Sequence, residues 1–223
     1  MKIDFEWFSE RGPRRNNEDY VAVRVMPEQG RSVFVLCDGM GGHDSGEVAS
    51  RLVAEHICGY WVKNPKRSDC EKKVIDACVE TKIAFDSRSR VEMGTTMAMV
   101  AVEGFKAMLA HCGDTRIYVV RAGEVICQSA DHVGLSPEGW QVITRAFFTG
   151  RDNYLPDIRL MELQADDVIL LCSDGVYGHG KDAEVSKLLA KGANVRMEDI
   201  KRIASSAPRD NYSAILIHIN AHD

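Results

Sequence analysis

The stretch Phe34-Val35-Leu36-Cys37-Asp38-Gly39-Met40-Gly41-Gly42-His43 joins an apolar, β-favouring run to a carboxylate and a group of glycines. The run predicts a buried strand and the glycines a tight turn, so Asp38 is expected where the strand surfaces. The pattern returns at Val168-Ile169-Leu170-Leu171-Cys172-Ser173-Asp174-Gly175 and, more loosely, at Met108-Leu109-Ala110-His111-Cys112-Gly113-Asp114. Three separated strands, each delivering an aspartate from its end, predict one oxygen-rich cation site assembled from distant parts of the chain.

Outward from Asp38, Asp44-Ser45-Gly46-Glu47 fits a helix start, with Asp44 as N-cap and Glu47 closing a capping box. Ala49, Leu52, Val53, His56, Ile57 and Tyr60 then recur at helical spacing, and His56 on that face reads as a packed, hydrogen-bonded histidine. Ser68 and Glu71 offer a second capping box ahead of Val74, Ile75 and Cys78, and this helix is expected to end in the loop Ser87 to Arg90. Residues 96–102, 107–111, 116–120 and 125–128, separated by Gly104, Gly113 and Gly123, read as an antiparallel meander. Residues 129–156 look mostly irregular. Helices are expected at 181–191, closed by Gly192, and at 197–207, and a last strand at 214–219 follows Asp210-Asn211. On the N-terminal side, Arg11-Gly12-Pro13-Arg14-Arg15-Asn16-Asn17-Glu18-Asp19 places arginines suited to phosphate oxygens beside acids suited to divalent cations. No repeat or linker divides the chain, so residues 1–223 are expected to form one domain with helices packed over two sheets.

Composition narrows the function classes. The 45% hydrophobic and 27% charged residues are those of a globular chain, and the net charge of -5 offers no general attraction to nucleic acid or an acidic membrane. Seven cysteines without Cys-x-x-Cys spacing give neither a disulfide framework nor a thiolate zinc site, and read as reduced core residues. The acidic, weakly apolar start is unlike a signal peptide, and no run reaches membrane-spanning length, so a cytoplasmic location is expected.

Together the motifs resemble the type 2C metal-dependent protein phosphatases. They run in family order: Arg14-x-x-x-Glu18-Asp19; Asp38-Gly39-Met40-Gly41-Gly42-His43 with Gly46-Glu47-Val48-Ala49-Ser50; Gly94-Thr95-Thr96; Gly113-Asp114-Thr115-Arg116-Ile117-Tyr118; Asp131-His132; Ile143-Thr144-Arg145-Ala146; Cys172-Ser173-Asp174-Gly175; and Asp210-Asn211-Tyr212-Ser213. A single Asp-Gly is usually only a turn, whereas eight motifs in order are specific. The glycine-rich form at Asp38 to His43 resembles the bacterial branch.

The resemblance implies an α+β fold, two antiparallel β-sheets in a sandwich flanked by α-helices, with two Mn2+ or Mg2+ ions at one end. It implies that Asp38 bridges the ions, that the Gly39 carbonyl, Asp174 and Asp210 bind them directly, and that Glu18 and Asp19 act directly or through water. Arg14 matches the arginine that holds the substrate phosphate, and Arg14, Asp38 and Asp174 are the expected catalytic residues. Asp114 matches a ligand of a third ion, but Gly178 stands where many members carry the second acid of that site, and Asp182 would replace it only through a rearranged loop. Met40 stands where animal members carry a histidine proposed as general acid; His43 reads as structural. Only Val133 to Val142 remain of a usually longer flap, which implies an open site and docking of protein substrates elsewhere.

The chemistry accounts for such a site. Phosphate monoester hydrolysis is among the slowest uncatalysed reactions, and a metal lowers the pKa of water from 15.7 towards about 7. Oxygen-only ligands suit hard ions, and clustered carboxylates favour a cation over one another. The implied activity is hydrolysis of phosphoserine and phosphothreonine in proteins that are substrates of a Ser/Thr kinase. A catalytically weak phosphoprotein-binding module of the same fold is the alternative; a nuclease would carry a basic substrate path that is not evident.

Overall fold

The computed structural model describes residues 2–40, 45–65, 70–88 and 91–221. In chain order its elements are β1 (Lys2–Glu10), β2 (Asp19–Met26), β3 (Arg31–Met40), α1 (Ser45–Lys63), α2 (Cys70–Arg88), β4 (Gly94–Thr95), β5 (Met97–Glu103), β6 (Lys106–Cys112), β7 (Arg116–Arg121) and β8 (Glu124–Gln128). There follow β9 (Val133–Leu135), β10 (Gln141–Ile143), β11 (Phe147–Phe148), β12 (Asp157–Glu162), β13 (Val168–Cys172), α3 (Asp174–Tyr177), α4 (Asp182–Leu189), α5 (Met197–Ser205) and β14 (Tyr212–Asn220).

The strands form a seven-stranded sheet, ordered β11-β4-β3-β5-β6-β12 with β2 on β3, and a five-stranded sheet, ordered β1-β14-β13-β7-β8. All pairings are antiparallel. The apolar runs that carry the aspartates are unbroken because both of their faces are covered. Along β3, Val33, Val35 and Cys37 pack in the core under α1 and α2, while Phe34 and Leu36 enter the core between the sheets. Along β14, Ala214 and Leu216 pack with α3 to α5, while Ile215, Ile217 and Ile219 face the inter-sheet core. Helices, sheet, sheet and helices thus stack in layers, each large aliphatic side chain contributing about 1.5–3 kcal/mol on full burial.

Helix α1 buries Ala49, Val53, Ile57 and Tyr60 as its spacing requires, and Leu52 packs at the margin. In α2, Val74 and Cys78 are buried but Ile75 is exposed, because the apolar stripe of that helix runs through Val74, Ala77, Cys78, Thr81 and Phe85 instead. Helix α2 also continues through Ser87 to Arg88 where a loop was expected. Asp44, Ser68 and His43, with their expected caps and roles, lie outside the described residues.

The strands depart from the sequence expectation in three stretches. The meander is divided: β5–β6 and β7–β8 are hairpins of different sheets, joined by Gly113-Asp114-Thr115. Strand propensity cannot reveal which sheet a strand joins, since that depends on long-range pairing. Residues 129–156 are less irregular than expected, because β9 and β10 pair as a separate hairpin and β11 pairs with β4. Strand β12, absent from the sequence reading, pairs with β6 at the sheet edge; its exposed Asp157, Arg159, Leu160 and Glu162 erase the alternation that marks a strand.

Candidate active site

One end of the sandwich gathers the carboxylates. Asp19 and Asp38 stand directly opposite each other in the β2–β3 register, so antiparallel pairing brings them together. Asp38 lies within β3 rather than at a turn, because Gly39 and Met40 continue the strand against Thr95 and Gly94. Its main chain is fixed on both sides: the Asp38 N–H donates to Thr96 Oγ1 at 2.9 Å, and its carbonyl accepts from Thr95 Oγ1 and the Thr96 N–H at 2.9 Å. Gly39 donates its N–H to the Glu18 carbonyl at 3.1 Å and sits so tightly that a Cβ there would meet the Gly46 carbonyl oxygen at 2.2 Å. The Glu18 carboxylate lies over the first turn of α1, where a Cβ on Gly46 would stand 2.5 Å from Glu18 Oε2.

The other sheet supplies the opposite wall. Asp174 begins α3 directly after β13 and Ser173, and Asp210 precedes β14 by one intervening residue, Asn211. Asn211 ties this wall to the N-terminal loop, donating through Nδ2 to the Arg11 and Asn16 carbonyls and accepting the Glu18 N–H at 2.9 Å. Ser173 crosses the seam, its hydroxyl donating to Asp19 Oδ2 at 2.8 Å. Arg14 donates to Asp210 Oδ2 at 2.5 Å, so the expected phosphate-binding cation and an expected metal ligand neutralise each other here.

The electrostatics report crowding. Burial first, then Asp19, Asp174, Asp114 and Asp210, pushes the Asp38 carboxyl well above its ordinary range. Burial lifts Asp19 to about 7 despite the hydroxyls of Ser213 and Ser173, and the charges of Asp174 and Asp210 add to it. Asp174 is raised by burial and Asp210. Asp19 Oδ1 is buried with no hydrogen-bond partner. Among the described residues no three His, Cys, Asp and Glu side chains by themselves form a metal cage. An orphaned carboxylate oxygen among mutually repelling acids nevertheless fits a hard cation, with the Gly39 carbonyl and water available to complete an oxygen shell.

The third-ion ligands are divided. Asp114 faces the same charges, with burial, Asp174 and Asp131 raising it to about 7. Gly178 donates its N–H to the Asp174 carbonyl at 2.6 Å, and a Cβ there would stand 2.6 Å from that oxygen. Asp182 accepts from Arg116 Nη1 at 2.8 Å, so it is held by that guanidinium and does not replace the missing acid in this arrangement. His56 approaches Thr81 Oγ1 at 3.4 Å between α1 and α2, as its packed reading implied. Cys37, Cys112 and Cys172 are fully buried, and burial pushes the Cys112 thiol up to about 12, away from redox reactivity. The sequence motifs held Ser173, Ser213 and Asn211, but their bonding to Asp19, Glu18 and the N-terminal loop was visible only once the sheets were assembled.

The protein phosphatase 2C family model matches residues 11–205. The chain belongs to the protein phosphatase 2C family. This phosphatase 2C chain is 28% identical to protein phosphatase PhpP of Streptococcus pneumoniae over 94% of each protein. It is 31% identical to serine/threonine protein phosphatase PstP of Mycobacterium tuberculosis over 90% of its own length and 40% of that protein. Its fold matches the crystal structure of the Mycobacterium tuberculosis phosphatase with a TM-score of 0.82 and 27% identity, covering 98% of this chain and 99% of that one. It also matches the PstP catalytic domain in complex with two manganese ions, with a TM-score of 0.79, 27% identity and the same coverage. The two-sheet α+β architecture expected from the motifs is thus that of the bacterial members of the family. No helix among the described residues is long and apolar enough to cross a membrane.

Proposed function

We propose that the chain is a metal-dependent serine/threonine phosphoprotein phosphatase that hydrolyses phosphoserine and phosphothreonine. The carrying observation is the meeting of Asp19 and Asp38 from one sheet with Asp174 and Asp210 from the other, leaving Asp19 Oδ1 buried and unpaired. Two Mn2+ or Mg2+ ions would be held by Asp38, the Gly39 carbonyl, Asp174 and Asp210, with Glu18 and Asp19 acting directly or through water. When bound, such ions supply a nucleophile at neutral pH and neutralise phosphoryl charge. The protein's own part is to fix the geometry. Thr95 and Thr96 set the Asp38 backbone, Ser173 orients Asp19, and Arg14, released from Asp210, receives the phosphate oxygens in a planar fork. Phosphoproteins made by a Ser/Thr kinase are the partners this chemistry needs, and a cytoplasmic location fits the lack of a membrane-spanning helix among the described residues. A longer flap grafted over Val133 to Val142 is expected to change substrate preference more than peptide turnover; unchanged preference counts against docking elsewhere.

The test is phosphate release from phosphothreonine and phosphoserine peptides with Mn2+, Mg2+ or chelator. Loss of an outer-shell partner typically costs 10–100-fold, so Asp38→Asn and Asp174→Asn are expected to lower turnover by more than about a hundredfold. No turnover by folded, metal-supplied protein on peptides and on a whole phosphoprotein would favour a phosphoprotein-binding module instead.

A further inference from the structure

Asp114 reaches the carboxylate cluster from the crossing between the sheets, and the turn that carries it is gripped from an unexpected direction. The Gly113 N–H donates to His132 Nδ1 at 3.1 Å, and the Gly113 carbonyl accepts the His132 N–H at 2.8 Å. Gly113 has φ +113, and a Cβ there would meet Thr96 Cγ2 at 2.5 Å, so no other residue fits this turn. On the far side, Tyr177 donates its hydroxyl to the Asp114 carbonyl at 2.6 Å.

His132 is itself fixed. Because Nδ1 accepts a backbone N–H, the ring proton must reside on Nε2, which donates to Asp157 Oδ2 at 3.0 Å. Asp157 Oδ1 in turn accepts from Arg145 Nη1 at 2.5 Å. The ring lies against His111, with centroids 4.6 Å apart, and His111 is buried with both ring nitrogens unpaired. The main chain of His132 closes the β9–β10 hairpin, its carbonyl accepting the Thr144 N–H at 2.9 Å. One residue therefore joins the root of the hairpin through its main chain to the edge strand β12 and the Asp114 turn through its ring.

We propose that His132 is a positioning residue: locked as the Nε2–H tautomer by Asp157 and Arg145, it holds Gly113 and thereby sets Asp114 against the catalytic carboxylates. A displaced hairpin would act on Asp114 through the same ring, which gives the short flap a mechanical connection to the site. Only the kinetic consequence rests on the phosphatase reading; the tautomer and the restraint on Gly113 do not.

The experiment combines ring-nitrogen NMR and amide hydrogen exchange of the full chain with peptide kinetics. Wild-type His132 is expected to show a protonated Nε2 and a bare Nδ1. His132→Ala is expected to speed exchange of the Gly113 amide on the order of tenfold through the lost hydrogen bond. It should lower kcat about tenfold, the scale of an outer-shell loss, with KM changed less than about twofold. His132→Asn, whose Oδ1 takes the place of Nδ1, should restore both the amide protection and most of kcat. A protonated Nδ1 in the wild type, unchanged Gly113 exchange in His132→Ala, or folded His132→Asn without rescue would overturn the proposal. Should His132→Ala fail to fold, Asp157→Asn decides: a shifted tautomer with faster Gly113 exchange supports it, and no change in either overturns it. Absence of turnover in wild type with these two signatures intact would count against the phosphatase reading alone.

Discussion

Asp19 accepts the Ser173 hydroxyl on one oxygen and nothing on the other, and its carboxyl is raised to about 7 chiefly by burial. The sign of the stability effect follows. The folded metal-free protein holds protons that the unfolded chain, with carboxyls near 3.8, has released, so stability falls as pH rises between about 4 and 7. Metal-free protein should therefore melt at a higher temperature near pH 5 than near pH 8 as far as this cluster decides it. Mn2+ should restore stability mainly at the higher pH. Asp19→Asn, which removes the charge, should raise the melting temperature of the metal-free protein at pH 8 and reduce the gain on adding Mn2+; calorimetry at both pH values checks this, and a lower melting temperature without metal would contradict it. Asp38, Asp114 and Asp174 were legible in the sequence because each ends or follows an apolar run, and Glu18, Asp19 and Asp210 because they stand in ordered motifs just ahead of one. Their supports were not: Ser173 reaches Asp19 across 154 positions, and Asn211 reaches the Glu18 N–H across 193. Local patterns carry no information on such pairings.

Elements place these residues through close backbone contacts. Strand β3 and helix α1 meet at Gly39 and Gly46, where a single added methyl group would collide with a carbonyl oxygen. Gly39→Ala should cost at least about 1–3 kcal/mol, the range for overpacking. A lower urea midpoint with weakened Mn2+ binding is the expected pair of results; unchanged values would mean that α1 moves aside freely. Gly178→Asp, which would reinstate an acid for a third ion, is expected to disturb Asp174 instead, because its Cβ must displace the Asp174 carbonyl at 2.6 Å. Calorimetric titration should show weaker Mn2+ binding and no added site. The apolar strands β3, β13 and β14 were legible because burial on both faces leaves continuous hydrophobic runs. The division of the expected meander between sheets and the exposed edge strand β12 were not, since sheet membership and edge position arise from tertiary pairing.

At the scale of the molecule, the site straddles two sheets whose shared core includes Phe34, Leu36, Leu171 and Ile217. Leu171→Ala should cost about 2–5 kcal/mol and should loosen both helix layers together, because each rests on a sheet anchored in that core. Parallel increases in hydrogen exchange in α1 and α5 would bear this out; an increase confined to α5 would show that the sheets open separately.

The register of β1 with β14 pairs Lys2 with Asn220, at the end of these strands away from Asp210. The two ends of the described chain are thus neighbours in one sheet, and the order in which its strands are threaded is separable from the architecture they build. A circular permutant, with residues 2 and 220 joined by a short glycine linker and new ends opened at Gly104, where an added Cβ would meet nothing within 4 Å, should keep the sandwich and the carboxylate cluster. Such a chain would place any fused tether on the β5–β6 hairpin instead of the β1–β14 edge, leaving catalysis to proceed beneath an unaltered constellation of acids.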